Sequence, residues 1–315
     1  MIALITLALF ALADNSYVGS QSCAACHEAI YSSYFQTAMG RSFHRAGEPE
    51  HLALVPAPVA VKRFKVFRRD GSLYQSETER DAFGSPIGEA AYKLEFAIGS
   101  GANGFAYIVA RGQRLIEAPL SYYTKSKSWD LSPGYDDADP GFQRPVDAAC
   151  TRCHTGRSQP VPDRLGLYDD PPFLEMAIGC ENCHGPGRDH VQAPAAGSIV
   201  NPARLSPARR EQICADCHQD PGAAPDSDLL AHVSSMRQSK CYSASGGRLT
   251  CTTCHDPHVA VPPAEAATYF ARKCVTCHAN AADHGASCTE CHMPKRRLGV
   301  IPHAALTNHR IPARP

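Results

Sequence analysis

Strict alternation of apolar and polar residues is confined to one part of this chain, and that part carries no paired cysteines. Residues 63–77 alternate around Asp70-Gly71, the residue pair that closes a two-residue hairpin. Tyr92, Leu94, Phe96 and Ile98 follow at period two and share one face of a predicted strand. A glycine-rich turn at 99–104 then leads to segments 105–109 and 114–117, which read as a second hairpin. Residues 55–125 are thus expected to form a small antiparallel β unit, the centre of a β-rich insert spanning 55–145.

Beyond residue 146 the pattern changes. Glycine, proline and small residues become dense, and only short helical stretches are legible, at 207–216, 228–236 and 264–273. Residues 1–13 form a short apolar run ending in Ala11-Leu12-Ala13, which reads as the hydrophobic part and cleavage site of a secretory signal, too short to span a bilayer. The expected organisation is signal peptide 1–13, a first cysteine-bearing segment 14–54, the insert 55–145, and a region 146–315 with the remaining cysteine motifs.

Fourteen of the fifteen cysteines fall into seven copies of Cys-x-x-Cys-His. They are Cys23-Cys26-His27, Cys150-Cys153-His154, Cys180-Cys183-His184, Cys214-Cys217-His218, Cys251-Cys254-His255, Cys274-Cys277-His278 and Cys288-Cys291-His292, numbered here motifs 1 to 7. Two thiols at this spacing form thioethers to one porphyrin edge, and the adjacent histidine reaches the iron as proximal ligand. One copy alone would also suit a zinc half-site or a redox dithiol. Zinc ribbons do not require a histidine after every pair, so seven copies identify c-type haem attachment and seven covalent haems as the expected cofactor.

With 315 residues for seven motifs, 315/7 = 45 residues serve each, too few for separate domains. The haems must share walls, and the apoprotein should be largely unfolded, as in small domains that fold only with their metal. Thirty-one basic and 31 acidic side chains balance, so no nucleic-acid-binding character is visible. Haem propionates would make the loaded protein acidic, favouring a redox partner with a basic docking patch.

Each iron has a second axial face. Outside the motifs lie His44, His51, His190, His232, His258, His284, His303 and His309, together with Met39. His258 follows His255 by three residues, past Pro257; it cannot fold back over its own porphyrin and should reach a neighbour. His190 follows His184 across Gly185-Pro186-Gly187, His284 lies between motifs 6 and 7, and His303 and His309 occupy the tail. His232 sits on the helical stretch 228–236, where a surface histidine is the ordinary alternative. Met39 would give motif 1 a thioether ligand and a raised potential, with His44 and His51 as competitors for that place. Cys241 stands outside every motif and reads either as a buried or as a reactive thiol.

The strings Tyr17-Val-Gly-Ser-Gln-Ser-Cys-Ala-Ala-Cys-His27, Ile178-Gly-Cys-Glu-Asn-Cys-His-Gly-Pro-Gly187 with His190, Cys251-Thr-Thr-Cys-His-Asp-Pro-His258, and Cys288-Thr-Glu-Cys-His-Met-Pro294 with His303 and His309 resemble multihaem cytochromes of the cytochrome c-552/4 type. The likeness is to heptahaem domains that precede tetratricopeptide repeats in bacterial proteins. It implies a fold of short helices and irregular loops wrapped around stacked haems, with parallel and perpendicular haem pairs and a small antiparallel β insert. It further implies periplasmic electron transfer, with distal histidines shared between distant parts of the chain. Redox proteins are the expected partners, with a membrane quinol oxidoreductase and further copies of the chain as candidates. The alternative is a reductase or oxidase of small nitrogen compounds, which needs one five-coordinate iron.

Overall fold

A computed structural model of the protein describes residues 15–135, 140–218, 231–279, 288–297 and 305–312. The signal-peptide reading, His284 and His303 therefore lie outside the described residues. Two antiparallel sheets occupy the middle of the chain. One is a four-stranded meander of Val59–Val61, Phe64–Arg69, Ser72–Arg80 and Pro86–Lys93. Its central hairpin turns at Asp70 (φ 49°) and Gly71 (φ 69°), the two left-handed positions that a tight hairpin requires.

The other sheet has six strands. Phe43–Arg45, Phe96–Ile98, Gly104–Arg111, Leu120–Tyr123 and Ser128–Leu131 lie side by side in that order, and Arg114–Glu117 pairs with Gly104–Arg111. The alternation expected to run unbroken from Tyr92 to Ile98 is split between the two sheets. The first strand ends at Lys93, and Glu95 instead gives its carbonyl to the amide of Ala46 and its amide to the carbonyl of Ile108. Leu94 and Phe96 are both buried, but in different clusters. The β unit also recruits Phe43–Arg45 from upstream of the expected boundary at 55, because that strand completes the sheet edge beside Phe96–Ile98.

The apolar core lies almost wholly in this unit. One cluster gathers Phe64, Val66, Leu73, Tyr107, Leu120 and Trp129; the other gathers Phe43, Phe96, Leu115, Val146, Tyr168 and Phe173. Tyr168 and Phe173 belong to a bulged hairpin, Arg157–Pro160 with Tyr168–Glu175, which the sequence pattern did not indicate and which fastens motifs 2 and 3 to the sheets. Downstream of Gly179, the only buried apolar residues among those described are Ala231, Val233 and Met236. The helices Arg188–Gln192, Lys240–Ala244, Cys251–Cys254, Ala266–Val275 and Cys288–His292 bury no residue at all. No described helix is long and apolar enough to cross a membrane.

Candidate haem centres

Each motif sits on, or at the end of, a helix that is short for a local reason. Asp147 caps Ala148–His154 by accepting from the amide of Ala149, and Thr250 forms a capping box with Thr253 at the start of Cys251–Cys254. Glu181–His184 stops at Gly185, whose φ of 72° is left-handed, and the chain is thereby freed to return through His190. Motif 1 lies in Gln21–Tyr34, which departs from helical geometry at His27 itself (φ −117°, ψ 37°). Pro207–His218 delivers motif 4, and Ala266–Val275 leads into motif 6, as the helical stretches 207–216 and 264–273 anticipated.

The motif histidines meet histidines from distant parts of the chain. Ring centres of His27 and His190 are 6.3 Å apart with planes 19° from parallel; those of His184 and His258 are 6.1 Å apart at 26°, and those of His255 and His309 are 6.2 Å apart at 35°. Two imidazoles on opposite sides of one metal, each nitrogen about 2.0 Å from it and each ring centre a further ~1.2 Å away, have ring centres about 6.4 Å apart. All three pairs match that separation. His218 and His232 are closer, at 5.4 Å and 82°, and His232 lies 5.0 Å from His309. His218, His232, His255 and His309 thus form one continuous group of rings.

Hydrogen bonds orient these rings through Nδ1. His184 Nδ1 lies 2.8 Å from the carbonyl of Val200, His292 Nδ1 2.8 Å from that of Pro312, and His309 Nδ1 3.0 Å from that of Thr307. A carbonyl only accepts, so Nδ1 carries the proton and Nε2 keeps the lone pair a metal needs. His190 Nδ1 lies 2.8 Å from Ser198 Oγ, whose own proton goes to the carbonyl of Ala195, so the same tautomer is fixed there. Burial holds His154, His184, His218, His255 and His309 below the ordinary imidazole range and brings His232 to about 4. The neutral form these shifts favour is the form that binds a metal. Nδ1 of His232 is buried with no hydrogen-bond partner among the described atoms.

The motifs also touch one another. The Cys180 thiol beside Cys23 pushes Cys23 up while Cys180 itself comes down to about 6; Cys251 beside Cys214 likewise raises Cys214 and is itself lowered, and burial, with Cys153 and Cys288 as neighbours, raises Cys217 and Cys274. Motif 1 is clamped to motif 3 by two carboxylates. Buried Glu181 accepts from the amides of Val18 (3.0 Å), Gly19 (2.8 Å) and Gly187 (2.7 Å), while Glu175 accepts from Ser20 (3.0 Å). No sequence pattern marks Glu175 or Glu181 for this role, since their amide partners are set by tertiary contact alone.

Other singled-out residues stand elsewhere. His51 uses both ring nitrogens inside the β unit, Nδ1 with His44 Nε2 (2.9 Å) and Nε2 with the hydroxyl of Tyr107 (3.1 Å). Desolvation brings it to about 3, and it is 2% exposed. Among the described residues neither His51 nor His44 faces a motif histidine; the ring beside His27 is that of His190. Met39 is half-buried in the turn after Gln21–Tyr34. Cys241, on Lys240–Ala244, is partly exposed rather than buried.

These residues fit haem. The ring separations, the Nδ1 bonds and the helices that bury none of their own residues all match walls built against a flat apolar group with two axial ligands. A solved structure shares the architecture. The chain aligns with the outer cell wall cytochrome OcwA at a TM-score of 0.51 and 12% identity, over 94% of this chain and 79% of that one. It aligns less closely with an undecaheme cytochrome from the S-layer of Carboxydothermus ferrireducens, at a TM-score of 0.43 and 16% identity over 92% and 45%. No protein-family model and no curated relative matches the chain. The fold is that of a multihaem cytochrome.

Proposed function

We propose that this chain is an extracytoplasmic heptahaem c-type cytochrome of the c-552/4 type that carries electrons between redox partners. Bound haem supplies the one-electron chemistry. The fourteen motif cysteines anchor it, and His27, His154, His184, His218, His255, His278 and His292 are the proximal ligands. His190, His258, His232 and His309 serve as distal ligands for motifs 1, 3, 4 and 5, leaving His284, His303 and Met39 as candidates for the rest. Histidine on both faces keeps an iron six-coordinate, which suits a carrier and leaves no place for a small substrate.

One observation carries this reading: three motif histidines stand with ring centres 6.1 to 6.3 Å from a second imidazole supplied by a remote segment, close to the separation of two imidazoles on opposite sides of one metal. The location rests on haem attachment to paired thiols and on the cell-wall origin of a structural neighbour. Redox proteins are the proposed partners, among them a membrane quinol oxidoreductase or another copy of the chain. Mass spectrometry of the denatured holoprotein tests the cofactor content. Seven covalently held haems per chain are expected, and fewer in a fully matured preparation would overturn the assignment. A spectroelectrochemical titration should then show reversible reduction of all centres, whereas catalytic turnover with nitrite or hydroxylamine would favour the alternative of a nitrogen-compound reductase.

A further inference from the structure

We infer that the turn at residues 195–200 is a shared positioning element for two haem centres, in which Ser198 sets the orientation and basicity of the distal ligand of motif 1. It rests on the electron-transfer reading and deepens it, by assigning residues outside the motifs to the control of where electrons settle. Two residues apart in sequence, Ser198 Oγ and the carbonyl of Val200 each lie 2.8 Å from Nδ1 of a histidine, His190 and His184 respectively. His190 stands beside His27 of motif 1, whereas His184 belongs to motif 3 and stands beside His258. One short turn thus holds a ligand ring of each centre.

The chain keeps these two acceptors in place by local bonds. The amide of Ser198 donates to the carbonyl of Ala195 at 3.2 Å, closing a four-residue turn in which Gly197 takes a φ of 94°. That position favours glycine, because a side chain there strains the backbone. Ser198 Oγ is locked by the same residue, donating to the carbonyl of Ala195 at 2.8 Å and accepting from its amide at 3.3 Å. With its proton committed, the hydroxyl meets His190 as an acceptor. Beyond Val200 the chain is fixed again by Asn201 Oδ1, which accepts from the amide of Ala203 at 3.0 Å. Arg210 of the motif 4 helix adds bonds from Nε to the carbonyl of Pro202 at 3.1 Å and from Nη2 to that of Ala203 at 2.8 Å. The turn contains no cysteine and no histidine, so a substitution in it leaves every attachment site and every axial ligand present.

An acceptor at Nδ1–H acts on an axial imidazole in two ways. It stops the ring from rotating about its bond to the metal, and it makes Nε2 more basic, which stabilises ferric over ferrous iron and lowers the potential of that centre. The rings at the two centres are close to parallel, at 19° for His27 with His190 and 26° for His184 with His258. Ser198 is therefore a positioning residue for motif 1, and the backbone at Val200 does the same for motif 3.

An EPR-monitored redox titration of holoprotein carrying Ser198→Ala tests the assignment. One midpoint should move up and the g values of one low-spin signal should change, while the haem count and the other centres stay as in the wild type. Ser198→Thr keeps the hydroxyl and should restore both. His190→Ala should open one iron, seen as a high-spin signal, and adding Ser198→Ala to it should shift no further midpoint. Unchanged midpoints and g values in Ser198→Ala, beside an opened iron in His190→Ala, would overturn the inference and leave the ligand assignment standing. A Ser198→Thr variant shifted as far as Ser198→Ala would overturn it too. Low-spin signals untouched by His190→Ala would instead refute the ligand assignment itself, and the inference with it.

Discussion

His184 and His258 stand with ring centres 6.1 Å apart, although one belongs to the third cysteine motif and the other follows the fifth. The loop carrying His258 is held in place by Ser33 Oγ, which donates to the His258 carbonyl at 2.6 Å, and by the Asp256 carboxylate, which accepts from the His258 amide at 3.0 Å. Three separate stretches of chain thus converge on one centre. Substituting His258 with alanine should leave all haems attached but open one iron. The expected readout is a single new high-spin ferric signal that shifts on adding cyanide. No new signal would show that His258 is not a ligand.

Glu181 is 3% exposed and accepts three backbone N–H bonds that fix the approach to motif 1. Hydrogen bonds to a charged group contribute roughly 1.5–3 kcal/mol each, although they do not add fully. Glu181→Gln loses the charge and leaves at least one amide poorly paired, so thermal unfolding of the holoprotein should register a loss of about 2–4 kcal/mol. A change within about 0.5 kcal/mol, the scale of ordinary surface substitutions, would show that the clamp does not hold motif 1.

The His44–His51–Tyr107 chain is structural rather than ligating on this account. His51→Ala should leave the haem spectrum and every low-spin signal unchanged while lowering stability by about 1–3 kcal/mol, the penalty for stranding the buried Tyr107 hydroxyl and a His44 nitrogen. Loss of a low-spin signal would make His51 a ligand after all.

Burial raises the Glu117 carboxyl to about 7, with the Arg144 guanidinium, 3.3 Å away, opposing the shift. A carboxyl raised on folding binds its proton more tightly in the folded state. The folded protein therefore gains stability as pH falls from about 7 toward the ordinary carboxylate range, and pays for a buried charge above it. Between pH 8 and pH 5 the gain should be about 1–3 kcal/mol, and Glu117→Gln should remove that part of the pH dependence. An unchanged profile in the variant would assign the dependence elsewhere.

Much of this arrangement was legible along the chain, and the limits have physical causes. The Cys-x-x-Cys-His spacing is local, so the attachment sites stand out without tertiary knowledge. Asp70-Gly71 marked its hairpin because two successive left-handed residues are rarely accepted elsewhere. The proximity of His258 to its own motif argued for a neighbouring centre, and its ring lies beside that of His184. Which motif it faces was not legible, because that depends on how helices with no buried residues pack across several segments. Alternation from Tyr92 to Ile98 hid a change of sheet, since period two survives when a strand passes from one partner to another. Met39, His44 and His51 drew attention by proximity in sequence to motif 1, but the ring brought to His27 comes from His190, beyond the whole β unit.

Low-temperature EPR of the oxidised holoprotein, recorded with and without cyanide, tests the central claim most directly. The account predicts only low-spin ferric haem, unchanged by the added ligand, because histidine closes both faces of the irons. A high-spin signal in the wild-type protein that shifts with cyanide would contradict it and place an open, reactive iron in the chain.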